Sequence, residues 1–375
     1  MSVDLRWAWA EIDLDAIGHN VETIRRRVAP SALWAVVKAN GYGHGAIGVA
    51  RAAMDAGAEG LCVALVQEGV ELRRAGIDAP ILLLSEPPPE LAATIIEHRL
   101  TPAVYQRRFL DALVAERPTG LPVHLLVDTG MQRVGAHPHA AVSMATAIEQ
   151  RAPELRLAGV FTHLAVADDA AAANVSFTEE QLATFAKVIE QLGDVPLVHA
   201  ANSAGALAHP ASRLSMVRVG IAMYGISPGD GVSELCADLR PALELRARVA
   251  FVKQVRAGSR ISYGLRHRFG EDTTVATIPI GYADGVPRRL WATGGAVLIG
   301  GRRCPIVGVV TMDQLMVDCG DVDVRVGDDV TLIGRQDDAV VTAEEWGRRL
   351  DTIGYEIVCG ISGRVPRVPR RSING

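Results

Sequence analysis

Lysine is scarce in this 375-residue chain: Lys38, Lys187 and Lys253 are the three lysines among 38 basic residues, and all the others are arginine. Chemistry that needs a primary amine therefore has few candidates. One of the three sits in demanding company. In Val36–Gly45, VVKANGYGHG, Lys38 closes an apolar run and a glycine-rich loop follows at once. Apolar neighbours disfavour the ammonium form, which leaves the amine free to attack an aldehyde and form a Schiff base. A second group lies near the middle of the chain. His199-Ala-Ala-Asn-Ser203 and Arg218-Val-Gly220-Ile221 bring a hydroxyl and small residues next to backbone N–H groups, which is donor chemistry suited to a phosphate.

These residues need elements to position them. From about residue 33, short β-branched or apolar runs alternate with helix-like stretches, the pattern of βα units. The strand candidates are Leu33–Lys38, Leu61–Leu65, Ile81–Ser85, Thr101–Val104, Val123–Asp128, Leu157–His163, Leu197–Ala201 and Val217–Ile221. Eight such units predict an α/β fold, an N-terminal (β/α)8 barrel. Its active face lies at the strands' C-terminal ends, and the loops after strands seven and eight form its usual phosphate site. Amphipathic stretches at Ala46–Ala56, Val66–Ala75 and Thr178–Leu192 read as helices, the last with Thr178 as its cap. Texture changes after the Gly-, Pro- and Asp-rich segment SPGDGVSELCADLRPAL, which puts the boundary near residue 235. Residues 1–235 are the barrel domain. Residues 236–375 read as a C-terminal, mostly antiparallel β-domain with one helix near Thr342–Asp351. The opening run Trp7–Leu14 alternates like a strand and can join that β-domain. With Lys38 at a strand end and Ser203 and Gly220 at the phosphate end, the residues point to a phosphorylated aldehyde cofactor, pyridoxal 5'-phosphate.

Composition narrows the partners. Hydrophobic residues make up 49% and charged residues 22%, within the ordinary globular range. A net charge of -5 gives no electrostatic basis for binding nucleic acid or a membrane surface. Small molecules or other protein chains are expected instead. The five cysteines, Cys62, Cys236, Cys304, Cys319 and Cys359, are odd in number and hold no CxxC pair. Neither a metal cluster nor a disulfide framework is expected, and a reducing compartment fits. No signal peptide or membrane span is read, so the expected location is cytoplasmic.

In nine segments the chain resembles the alanine racemase family, pyridoxal-phosphate enzymes with a barrel and a C-terminal β-domain. In order these are AVVKANGYGHG, DTGMQRVG, FTHLA, HAANSAG, RVGIAMYG, ISYG, IPIGYADG, GVVTMDQLMVD and YEIVCGISGRVPR, spread over nearly the whole length. The resemblance implies interconversion of L- and D-alanine, supplying D-alanine for cell-wall peptidoglycan. It assigns Lys38 as the Schiff-base lysine and the D-side base. Tyr263 becomes the L-side base, contributed by the other subunit of a homodimer. Inverting Cα needs two such groups, because one proton leaves one face and another arrives on the opposite face. A phenol ionises near pH ~10, so a tyrosine base needs help, which the resemblance assigns to His163, linked to Arg218. Arg218 would face the pyridine nitrogen and, staying protonated, would weaken the ring as an electron sink. Tyr42, Ser203, Gly220, Ile221 and Tyr355 would hold the phosphate. Arg133 and the Met312 backbone would hold the substrate carboxylate, with Asp313 and Tyr282 at the entrance and inner gate. For Tyr282, Asp284 and Asp313, turn or packing roles stand beside catalytic ones.

One position departs from the pattern. Many members carry a carbamylated lysine seven residues before the DTGM arginine, hydrogen-bonded to it, where this chain has Leu126. An anion, a water or a side chain such as Gln132 would have to orient Arg133 instead. Other readings stay open at this point: a racemase for serine or lysine, a non-catalytic pyridoxal-phosphate carrier, or a Schiff-base aldolase. The carrier reading leaves Tyr263 unexplained, and an aldolase needs no phosphate site behind Arg218.

Overall fold

A computed structural model of the chain describes Arg6–Arg370. Its backbone contacts divide the chain into two compact units, Ile17–Gly41 with Ala46–Arg240, and the remainder, which includes Tyr42–Gly45 and everything from Pro241 onward.

After β1 (Ala8–Asp13), the first unit is a closed barrel of eight parallel strands. They are β2 (Ala32–Val36), β3 (Gly60–Val63), β4 (Ile81–Leu83), β5 (Thr101–Val104), β6 (Leu121–Leu126), β7 (Leu155–Phe161), β8 (Leu197–His199) and β9 (Met216–Val219). All eight expected strands are present, most ending two residues earlier than their hydrophobic runs. The apolar run continues past the last ladder bond because the residues beyond it line the barrel mouth. Burial on both faces explains the unbroken apolar runs of Gly60–Val63 and Ile81–Leu83. The helix Leu14–Val28 buries Ile17, Val21, Ile24 and Val28, a single stripe at helical spacing.

One helix differs from expectation. It starts at Ala172, six residues before Thr178, and the Thr178 hydroxyl donates to the Asn174 carbonyl at 3.0 Å inside the helix instead of capping it. Asp169 organises the true start, accepting from the Ala171 amide at 2.7 Å and from the Asn174 side chain at 2.8 Å.

The second unit is mostly antiparallel. Its strands are β10 (Leu243–Arg248), β11 (Phe251–Val255), β12 (Arg260–Ile261), β13 (His267–Arg268), β14 (Thr273–Ile278), β15 (Ala296–Ile299), β16 (Arg302–Pro305), β17 (Leu315–Gly320), β18 (Asp329–Gln336), β19 (Ala339–Val341) and β20 (Arg367–Arg370). One sheet runs β16-β15-β18-β10-β1-β20, and a second runs β11-β14-β17. β1 pairs antiparallel with β10 and parallel with β20. The helix Ala343–Leu350 is capped by Thr342, whose hydroxyl accepts the Glu345 amide at 3.0 Å. A short helix at Gly354–Cys359 was not expected from the sequence.

Candidate active site

Lys38 follows β2 and is partly buried, whereas Lys187 and Lys253 are exposed. Directly after it the backbone turns left-handed: φ is 53° at Ala39, 53° at Asn40, 62° at Gly41, 49° at Tyr42 and 80° at Gly43. Each non-glycine residue held there costs roughly 1–2 kcal/mol, so the loop needs anchors. Glu68, at the start of the helix Val66–Arg74, supplies one and is itself held by the turn before that helix. Its Oε1 accepts the Ala39 amide at 2.6 Å, and its Oε2 accepts the Ala64 and Leu65 amides at 2.9 and 3.0 Å. Asn40 Oδ1 accepts the Ala46 amide at 3.0 Å. At Gly43 a Cβ would stand 2.2 Å from the Val358 carbonyl oxygen, so only glycine fits. The sequence reading missed Glu68; its signal was an acidic residue three positions into a helix that follows a strand end.

The barrel interior holds a buried cation among neutral rings. Arg218 donates through Nη1 to His199 Nδ1 at 2.7 Å, and through Nη2 to the carbonyls of Thr162 and Ala200 at 2.8 and 3.1 Å and to His163 Nδ1 at 3.3 Å. A guanidinium only donates, and this fixes the tautomers. His199 Nδ1 and His163 Nδ1 accept, so the proton of each ring sits on Nε2. His199 Nε2 then donates to His124 Nδ1, 2.9 Å away. The Phe161 ring stacks on His199 with centroids 4.7 Å apart, and the Arg218 guanidinium lies 5.1 Å from the same ring. Burial, then the Arg218 charge, holds His124 and His163 down to about 3 and His199 well below the usual imidazole value. Burial also lowers Arg218 to about 10, which leaves it cationic at neutral pH.

At the ends of β8 and β9, the Ser203 hydroxyl accepts the Gly220 amide at 2.9 Å and the Ala222 amide at 3.4 Å. Ser203 opens a short helix capped by Asn202, whose Oδ1 accepts the Gly205 amide at 2.9 Å. Ile221 beside them is fully buried. The structure thus gathers Ser203, Gly220 and Ile221 as expected.

A cavity of about 280 Å³ is lined by Lys38, Leu126, Asp128, Met131, Arg133, Phe161 and His163. Leu126 is 4% exposed and packs with Ala103 and Phe161, flanked by Tyr105 and Val134. The cavity wall at Leu126 is therefore apolar. Arg133 makes no hydrogen bond or ion pair among the described residues. Gln132 does not orient it: that residue is exposed in a left-handed turn at φ 57°, its amide donating to Asp128 Oδ1 at 3.1 Å.

The remaining candidates belong to the β-rich unit. The Tyr42 and Tyr355 rings lie 6.0 Å apart. Tyr282 and Met312 share a joint in which the Tyr282 amide donates to the Thr311 carbonyl at 2.9 Å and the Ala283 amide to the Met312 carbonyl at 3.0 Å. A Cβ on Gly281 would stand 2.3 Å from the Thr311 oxygen, so this approach also requires glycine. Asp284 is fully buried, ion-paired to Arg6 at 2.6 Å and Arg364 at 3.3 Å. Arg364 in turn holds Asp313 at 2.7 Å. Asp284 is therefore a brace for the joint. Tyr263 stands apart on an exposed turn, 70% accessible, its hydroxyl unbonded among the described residues. The turn itself is fixed: the Ser262 hydroxyl donates to the Val309 carbonyl at 2.6 Å, and a Cβ on Gly308 would meet Ser262 Cβ at 2.7 Å.

The donor set suits a phosphorylated pyridine aldehyde: an amine, a hydroxyl with amide neighbours, and a buried guanidinium. The chain is similar to known proteins over almost its whole length. The family model described as alanine racemase, N-terminal domain, matches residues 12–228, and that described as alanine racemase, C-terminal domain, matches 242–369. An alanine racemase of Symbiobacterium thermophilum is 48% identical, covering 97% of each chain. One from Geobacillus stearothermophilus is 42% identical over 97% of this chain and 93% of its own. The crystal structure of alanine racemase from Bacillus anthracis with bound L-Ala-P superposes with a TM-score of 0.91 at 40% identity, covering 98% of this chain and 96% of the other.

Proposed function

Since this chain belongs to the alanine racemase family, we propose that it interconverts L- and D-alanine with pyridoxal 5'-phosphate as a cytoplasmic homodimer, supplying D-alanine for peptidoglycan. The observation that carries the reading is Lys38, held by a braced left-handed loop in a cavity that it shares with Arg133 and His163. When bound, the cofactor supplies the electron sink that makes the amino acid's Cα–H acidic. Lys38 would hold it through Nζ, and Ser203, Gly220, Ile221, Tyr42 and Tyr355 would take its phosphate. Arg218 would face the ring nitrogen and keep it unprotonated, since its own proton is held to high pH. Arg133 and the Met312 backbone would bind the substrate carboxylate.

Lys38 Nζ and Tyr263 Oη would carry the proton on opposite faces of Cα. His163 accepts from Arg218 on Nδ1, so its Nε2–H is the group able to donate to a phenolate and favour that form. The exposed Tyr263 suits a residue that serves a second copy of the chain. The direct test is an L-to-D conversion assay of the purified, cofactor-loaded protein across alanine, serine and lysine. Fastest turnover of alanine is expected, and a preference for serine or lysine would overturn the substrate assignment.

Two further results are expected. Borohydride reduction followed by peptide mapping should fix the cofactor on Lys38, and label on Lys187 or Lys253 would refute that assignment. Turnover should be indifferent to bicarbonate, because Leu126 offers no amine for carbon dioxide. In Leu126→Lys, added bicarbonate should lower the KM for alanine about tenfold, the worth of one charge-assisted hydrogen bond to Arg133. A variant active without bicarbonate and unmoved by it would mean that Arg133 is not oriented from this position.

A further inference from the structure

Two thiols of the β-rich unit flank a β-bridge that the racemase reading does not use. Cys304 lies on β16 and Cys319 on β17, and both are buried. Ile306 and Val317 form an antiparallel bridge, and the Val307 amide donates to the Met316 carbonyl at 2.8 Å. The ladder bonds therefore flank Ile306 and Val317, which form a non-hydrogen-bonded pair. Two residues outward on each strand, on the same face, lie Cys304 and Cys319, where Pro305 has no amide to continue the bonding and the Gly320 amide turns to Asp318 Oδ1 at 3.0 Å. In a regular antiparallel pair, positions so related stand roughly 4.5 Å apart at Cα, within the span that a disulfide bridges.

Each thiol donates weakly to a carbonyl of its own strand, Cys304 to Arg302 and Cys319 to Val317, both at 3.9 Å. Interaction between the two thiols raises Cys304, with burial adding to the rise, and lowers Cys319 against burial, with support from the Ala276 amide. Losing the first proton from the pair is thus eased and losing the second is opposed. Cys62, by contrast, is alone in the barrel, where burial pushes its thiol up to about 12. β16 is an edge strand with Arg302, Arg303 and Pro305 exposed, so local opening can admit a small reagent.

We propose that Cys304 and Cys319 form a reversible dithiol–disulfide site, oxidised by exchange with a low-molecular-weight disulfide. The bridge would close the base of the segment that presents Met312 and Asp313. Cys319 as thiolate attacks one sulfur of the small disulfide and expels the other as a thiolate. Cys304, deprotonated in turn, attacks the Cys319 sulfur of the mixed disulfide and expels the second thiolate. Two protons leave the cysteines and end on two released thiols, so the protein loses two electrons to the reagent.

The test incubates the folded, full-length protein with oxidised glutathione, alkylates it in denaturant and maps the peptides by mass spectrometry. One cross-link between the Cys304 and Cys319 peptides is expected, lighter by two hydrogens and reversed by dithiothreitol. Cys304→Ser should trap glutathione on Cys319 instead. Complete alkylation of both cysteines after oxidation, stable glutathione on each, or a link from either to Cys359 would overturn the proposal. Should the variant not fold, the wild-type cross-link alone decides.

Discussion

Tyr263→Phe should turn over L-alanine roughly a thousandfold more slowly than the parent, the range expected when a general acid–base group is lost. Its unfolding midpoint and cofactor absorbance should not change. The structure makes this a clean experiment. The phenolic hydroxyl is exposed and bonds to nothing among the described residues, so removing it costs the chain no contact of its own. The turn that carries it stays fixed by Ser262 and Gly308. Exchange of the Cα hydrogen with solvent separates the two bases: D-alanine should retain more exchange than L-alanine, because its proton would face the intact Lys38. Equal losses from both enantiomers would remove Tyr263 from the two-base assignment.

Acid should destabilise the fold steeply between pH 6.5 and 4, by about 4 kcal/mol per pH unit from three histidines alone. His124, His163 and His199 stay neutral in the folded state because burial and Arg218 oppose a second charge. In the unfolded chain each protonates near pH ~6.5. Stability is therefore intact above that value. As pH falls, the unfolded state binds three more protons than the folded one, and the deficit grows until the folded rings titrate, at about 3 for His124 and His163. Urea unfolding of wild type and His124→Gln at several pH values checks this. Glutamine can still accept from His199 and does not titrate, so the variant should show a slope shallower by about a third of the histidine share. Identical slopes would mean that His124 is charged in the fold.

The sequence shows some of these features openly and hides others. The eight barrel strands are legible because parallel strands buried on both faces read as unbroken apolar runs. Lys38 is legible because lysine is rare. The helix start at Ala172 is not, since a run of alanines carries no cap of its own and the organising residue, Asp169, lies outside the periodic stretch. The histidine pair escapes for a different reason. His124 sits in LPVHLL with no polar neighbour in sequence, and its partner is a whole barrel strand away. A trace of it exists: Gly159 in β7 pairs with His124, and a Cβ there would stand 2.7 Å from the imidazole. A glycine inside a barrel strand is thus a record of the ring beside it. Cys304 and Cys319 read as unrelated thiols until the bridge between Ile306 and Val317 brings their strands together. Tyr263 is legible through family resemblance alone, as an exposed turn tyrosine has no chemical signature.

The left-handed loop after Lys38 has a stereochemical consequence. From Ala39 to Gly41 the main chain follows the mirror image of an ordinary helical turn, the conformation that a D-residue prefers by the same margin that an L-residue is penalised. Position 39 is thus a place where the handedness of a single alanine is felt by the backbone. In a semisynthetic chain, D-alanine there would relax the loop, and L-alanine keeps it under tension against the Glu68 anchor. The segment that sets the catalytic amine is, locally, a chain of the opposite hand.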